Sequence, residues 1–194
     1  MIKPKEETID DRFIGKHFRI KYNNKDNQYY LKDLGHGFGT FVKINKYIEI
    51  KDNFLISIGV NYIVITLGQD EDNILKENIT KDNMKENDEN KLINLKLFSS
   101  NINHGILTFD KNKEKIVIGR CSDCDVIIED TMLSRFHCTI FFKNDRWFIC
   151  DGFIENNYNK KSTNGTWLYA FENTIIKNGM IFKSNYNLFI CSFE

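Results

Sequence analysis

Along almost the whole of this 194-residue chain, short β-branched or aromatic runs alternate with polar residues at period two, and Asn, Asp and Gly interrupt them. The pattern predicts strands at His17–Tyr22, Gln28–Asp33, Asn53–Ile58, Tyr62–Leu67, Lys115–Gly119, Asp125–Ile128, His137–Phe142, Trp147–Asp151 and Leu188–Phe193. Many short strands separated by turn residues define an all-β class, a sandwich or a barrel. An apolar content of 41%, with 16 Phe and 8 Tyr, is enough to fill a core, and the length suits one large domain or two small ones.

Charge narrows the partners. The formal net charge is zero, so no global field draws the chain to nucleic acid or to an anionic membrane, and neither is expected as a partner. No stretch approaches the roughly 18–20 apolar residues of a membrane span, and the N-terminus MIKPKEETIDD has no signal-peptide core. The expectation is an intracellular protein of the nucleus or cytoplasm. All five cysteines (Cys121, Cys124, Cys138, Cys150, Cys191) fall in the C-terminal part, and an odd number without a secretory signal argues for reduced thiols. Cys121-x-x-Cys124 lacks two further zinc ligands at workable spacing, so neither metal nor cofactor is expected.

Residues 68–91 break the strand pattern. They hold 4 Lys and 8 Asp or Glu with no aromatic residue, and read as an acidic polar linker rather than a weak helix marked by Ile74, Leu75, Ile79 and Met84. The segments on either side repeat each other: KHFRIKYNNKDNQYYLKDLGHGFGTFV parallels FHCTIFFKNDRWFICDG…STNGTWL. His17 aligns with His137, Asp33 with Asp151, and Gly39-Thr40 with Gly165-Thr166; the second copy carries eight extra residues between its Asp and its Gly-Thr. Strand-connecting loops tolerate such insertions.

Four pieces of the second copy stand out: Ile118-Gly119-Arg120, Ser134-Arg135-Phe136-His137, Asp151, and Ser162-Thr163-Asn164-Gly165-Thr166-Trp167. Each alone is ordinary turn or strand-end chemistry. In this order and spacing they resemble the forkhead-associated (FHA) family, and the resemblance runs over residues 92–194, from a first strand at Leu92–Phe98 to a closing strand at Leu188–Phe193. It implies a SMAD/FHA-type β-sandwich whose loops at one end grip a phosphothreonine peptide. Three domain segments are expected: a degenerate FHA-like β unit over 1–67, a partial sandwich repeat; the linker 68–91; and an FHA domain over 92–194.

The implied roles suit the residue types. A phosphate carries about −1.5 to −2 charge and three acceptor oxygens, so it needs charged and neutral donors converging on it. Arg120 and Arg135 would supply guanidinium forks, Ser134 a hydroxyl, Thr163 the wall of the adjoining loop, and Asn164 a donor and acceptor for the peptide backbone. Gly119, His137, Ser162 and Gly165 would support them. His137 would hydrogen-bond neighbouring loops, since it has neither nucleophile nor triad partner. Selectivity for residues after the phosphothreonine points to the loop Gly152–Lys161, where Lys160 and Lys161 would favour an acidic peptide.

In the first copy Ile14-Gly15 replaces Ser134-Arg135, and His36-Gly37-Phe38 replaces Ser162-Thr163-Asn164, so its phosphate site reads as dead. Only sixteen residues precede His17, too few for the earlier strands of a sandwich. A half sandwich leaves an apolar face bare. Phe18, Ile20, Tyr30, Leu34, Phe41, Ile56, Ile58, Ile63 and Ile65 therefore need cover, from the C-terminal domain or another chain, unless the sequence is a fragment. Thr8 and Thr80, near acidic residues, are candidate phosphorylation sites. The expected function is a phosphothreonine-dependent protein-binding module acting as a signalling or assembly adaptor, and not an enzyme, because no phosphate-cradling Gly-rich turn or triad is present. The alternative is a structural protein that uses the sandwich for phosphate-independent contacts in a larger complex.

Overall fold

The computed structural model describes residues 15–68, 92–99, 105–155, 158–171 and 174–193. Of the linker candidate 68–91, residues 69–91 lie outside the described residues, as do the threonines Thr8 and Thr80 and Ile14. Every regular element among the described residues is a strand. In chain order they are β1 (Phe18–Asn23), β2 (Gln28–Asp33), β3 (Thr40–Lys43), β4 (Ile48–Glu49), β5 (Phe54–Ile58), β6 (Asn61–Leu67), β7 (Leu92–Phe98), β8 (Ile106–Asp110) and β9 (Lys115–Gly119). There follow β10 (Val126–Ile127), β11 (Cys138–Lys143), β12 (Arg146–Asp151), β13 (Phe153–Glu155), β14 (Tyr158–Lys160), β15 (Thr166–Tyr169), β16 (Thr174–Ile175), β17 (Ile181–Ser184) and β18 (Asn187–Ile190). The all-β expectation holds, and the runs that the period-two pattern picks out coincide with β1, β2, β5, β6, β9 to β12 and β18.

Domain organisation departs from the expected 1–67 and 92–194. One compact unit, the central unit, is Ile44–Leu168; the other, the terminal unit, joins Met1–Lys43 to Tyr169–Glu194. In the central unit one sheet has the order β15-β5-β6-β7-β8 and a second the order β10-β9-β11-β12-β4. Alternation along each strand sends one set of side chains inward. Ile56, Ile58, Ile63, Ile65, Ile93 and Leu95 from the first sheet meet Ile116, Ile118, Ile140, Trp147 and Ile149 from the second in one buried cluster. That is a β-sandwich. β13 and β14 form a separate two-stranded hairpin.

The terminal unit is smaller. β2 lies between β1 and β16, and β17 between β3 and β18. Leu31, Ala170, Ile176, Met180 and Phe182 form its core, with Phe18 and Phe189 packed edge-on and stacked against Phe182.

These pairings correct the expected closing strand. Leu188–Phe193 does not close the sandwich that begins at Leu92. β18 pairs with β17, and β17 with β3 of the first copy, Phe182 opposite Val42 and Ser184 opposite Thr40. The first-copy strand that lies against Leu92–Phe98 is β6, in register from Tyr62 opposite Phe98 to Leu67 opposite Ile93. β5 continues the sheet to β15, with Ile58 opposite Thr166. Each repeat thus gives its last hairpin to the other.

Burial supplies the physical reason. A hairpin flanked by strands on both sides and covered on one face needs an apolar residue at each inward-facing position. β5 and β6 offer Phe54, Ile56, Ile58, Ile63 and Ile65, all buried, whereas Leu188 and Ile190 of β18 are 65% and 73% exposed. Of the first-copy residues expected to need cover, Phe41, Ile56, Ile58, Ile63 and Ile65 are buried, while Ile20 is 47% exposed. Gly68 N donates to Leu92 O at 3.1 Å, so the two ends of the intervening segment meet.

Candidate functional site

β9 and β11 run antiparallel with Cys138 opposite Ile118, and β11 and β12 pair Cys138 with Asp151. The residues just after β9, just before β11 and just after β12 therefore emerge at one end of the central unit. Arg120 N donates to Ser134 O at 3.3 Å, and His137 N to Ile118 O at 2.8 Å. β15 begins at Thr166 beside the same edge, so the loop 162–165 joins them.

Two buried polar residues tie these loops. His137 is fully buried, and its Nδ1 accepts from the backbone N–H of Ser134 at 3.1 Å. Accepting there places the ring proton on Nε2, which donates to Gly165 O at 3.1 Å. Burial lowers the pKa of His137 from its ordinary 6.5, which favours this neutral tautomer. With both nitrogens committed, the ring links the 134 loop to the 165 loop and has none left for proton transfer.

Asp151 is 1% exposed and accepts from Ser162 Oγ at 2.6 Å, Ser162 N at 3.3 Å and Thr166 Oγ1 at 2.9 Å. Ser162 Oγ in turn accepts from Gly165 N at 2.9 Å. Three donors on one buried carboxylate fix the turn that presents Thr163 and Asn164. Gly165 has φ +79°, a left-handed conformation that glycine adopts without strain; Gly39, its counterpart in the first copy, has φ +83°. Gly119 is required for a different reason: a Cβ there would overlap the carbonyl of Arg135.

Around this frame lie the expected donors. Arg120 Nε donates to Leu133 O at 2.9 Å, and its Nη groups make no hydrogen bond among the described residues. The Arg135 side chain likewise has no hydrogen bond or ion pair among the described residues, and both guanidinium groups are exposed. Ser134 Oγ accepts from Thr163 N at 2.9 Å and contacts Thr163 Oγ1 at 3.3 Å. Asn164 Nδ2 donates to Met132 O at 2.7 Å, and Asn164 O accepts from Trp167 Nε1 at 2.9 Å.

Arg120, Ser134, Arg135, Thr163 and Asn164 all line one cavity of about 490 Å³. Phe153, Glu155, Lys160 and Lys161 line its other wall, so the lengthened loop Gly152–Lys161, which carries the β13–β14 hairpin, borders the same groove. Four cations face a single carboxylate there. Lys161 Nζ donates to Asn45 O at 2.9 Å, while Phe136 and Phe153 stack at 4.8 Å beneath. A cationic groove rich in exposed N–H and O–H donors is suited to a phosphate on an extended chain.

Sequence reasoning missed the loop 128–133. Asp130 Oδ1 accepts from Met132 N at 2.8 Å and Asp130 O from Leu133 N at 3.0 Å, a local turn whose signal was the Asp followed by Thr-Met-Leu-Ser. Through it, Met132 O and Leu133 O come to hold Asn164 and Arg120. Cys121 and Cys124 flank the site: the buried Cys124 thiol donates to Arg135 O at 3.1 Å, and burial pushes its pKa up.

In the terminal unit the scaffold contacts recur without these donors. Leu34 N donates to His17 O at 2.9 Å, as Gly152 N does to His137 O at 2.7 Å. His17 Nδ1 lies 3.2 Å from His36 O. Phe38 N donates to Asn185 Oδ1 at 2.8 Å, and a Cβ on Gly37 would collide with that same side chain.

The family model described as FHA domain matches residues 8–59 and 116–183. No curated protein and no solved structure matches the chain. No helix among the described residues is long and apolar enough to cross a membrane.

Proposed function

This chain belongs to the forkhead-associated family, a family of phosphopeptide-binding interaction modules rather than enzymes, and we propose that its central unit binds phosphothreonine peptides as an adaptor. The observation that carries the reading is the convergence of Arg120, Ser134, Arg135, Thr163 and Asn164 on one cationic groove, from the end of β9 and the loops that lead into β11 and β15. In the proposed complex the Nη groups of Arg120 and the guanidinium of Arg135 engage the phosphate oxygens. Ser134 turns its hydroxyl from Thr163 to the phosphate, and Asn164 exchanges Met132 O for the peptide backbone. The peptide lies extended along the groove toward Lys160, whose charge favours acidic residues beyond the phosphothreonine.

The test is calorimetric titration of the full chain with a degenerate phosphothreonine peptide pool, alongside matched phosphoserine and unphosphorylated pools. Binding confined to the phosphothreonine pool, and weakened about a hundredfold by Arg120→Ala, is expected, because that variant removes charge-assisted hydrogen bonds. A second reading, assembly through phosphate-independent contacts, draws on the terminal unit, which keeps the His17 and Gly39 scaffold but not the donors. A folded chain that binds none of the pools favours it and sinks the first.

A further inference from the structure

The turn between β5 and β6 belongs by sequence to the first copy, yet it lies against the loop that builds the phosphate site of the second. Asn61 is 1% exposed, and its Nδ2 donates to Asp130 Oδ2 at 2.7 Å and to Ile58 O at 3.4 Å. Val60 N approaches the same carboxylate oxygen at 3.4 Å. The approach is close: a Cβ on Gly59 would lie 2.5 Å from Asp130 Oδ2 and 3.1 Å from Leu133 Cδ2. Asn61 Oδ1 is buried with no hydrogen-bond partner among the described residues, a cost that the bonds from Nδ2 must offset.

Asp130 has two carboxylate oxygens with two tasks. Oδ2 receives the hairpin, and Oδ1 receives Met132 N. The turn so held carries Met132 O, which accepts from Asn164, Leu133 O, which accepts from Arg120 Nε, and Ser134. Three of the five groups assigned to the phosphopeptide therefore hang on one loop, and Asn61 anchors its base.

We propose that Asn61, supplied by the first repeat's hairpin, is a positioning residue for the phosphopeptide site of the second repeat, acting through Asp130 on the 130–134 loop. The inference rests on the phosphopeptide function proposed above. It gives the exchanged hairpin a role beyond core filling: the first copy, which lacks the donors, sets their geometry.

The full-length Asn61→Ala variant tests it, with Ile65→Val as a core control in the same hairpin. Two readouts are needed: affinity for the degenerate phosphothreonine peptide pool, and the NMR signals of Arg120 Nε–H and Met132 N–H in the free protein. Asn61→Ala is expected to weaken binding about tenfold, as loss of one hydrogen bond to a charged group does, and to move both signals. Ile65→Val is expected to lower Tm while leaving affinity and both signals in place. Unmoved signals in Asn61→Ala overturn the proposal, even if affinity falls. A wild-type chain that captures no phosphopeptide sinks the function itself, whereas the free-state signals still decide the loop coupling.

Discussion

Removing apolar contacts from the two exchanged hairpins should damage opposite units. Ile63 is 1% exposed and sits in β6, between Ile56 of β5 and Leu97 of β7. Ile63→Ala deletes three carbons from the central core; at about 0.8 kcal/mol per buried carbon plus a cavity term, the cost is about 3 kcal/mol. That multiplies the opening constant of the central unit by roughly 150. Phe182 is 2% exposed in β17, its ring 4.8 Å from Phe189 and 5.1 Å from Phe18, so Phe182→Ala costs the terminal unit about 3–5 kcal/mol. Native-state hydrogen exchange resolves the two. Ile63→Ala should accelerate the amides of Cys138–Lys143, and Phe182→Ala those of Gln28–Asp33. If each repeat instead kept its own hairpin, the pattern would reverse: Ile63→Ala would speed exchange in Gln28–Asp33 and leave Cys138–Lys143 protected. That result would refute the exchange.

Two further outcomes follow from the site. Because burial depresses the folded pKa of His137 below 6.5, the unfolded chain takes up its proton first as pH falls, so this contribution to stability is complete above about pH 6.5 and is lost below it. Urea midpoints between pH 7.5 and 5 should fall less steeply for His137→Gln than for wild type, and parallel curves would rule the histidine out as a cause. Gly119→Ala should cost about 1–3 kcal/mol by forcing its methyl against Arg135 O; an unchanged urea midpoint and unchanged peptide titration would show that the carbonyl can give way.

Much of this molecule is legible as pattern. Period-two alternation locates β9, β11 and β12, and because Ile118, Cys138 and Asp151 are cross-strand neighbours, the motif pieces around them meet at one end. The linking geometry of His137 also follows from its place between Ser134 and Gly165. Asp130 could be seen as a turn residue, but not as the seat of a contact from 69 positions upstream.

Strand identity and the chemistry of the groove are local properties, and the sequence by itself determines them: side-chain shape chooses the strand, and donors cluster wherever strand ends do. Which hairpin completes which repeat is not local. The two repeats offer similar hairpins to similar edges, so alternation satisfies either pairing equally. Only the total burial decides, by seating the inward-facing isoleucines of β5 and β6 between strands and leaving the sparser β18 at an edge. From that choice comes the placement of Asn61 against Asp130, which tertiary structure alone reveals.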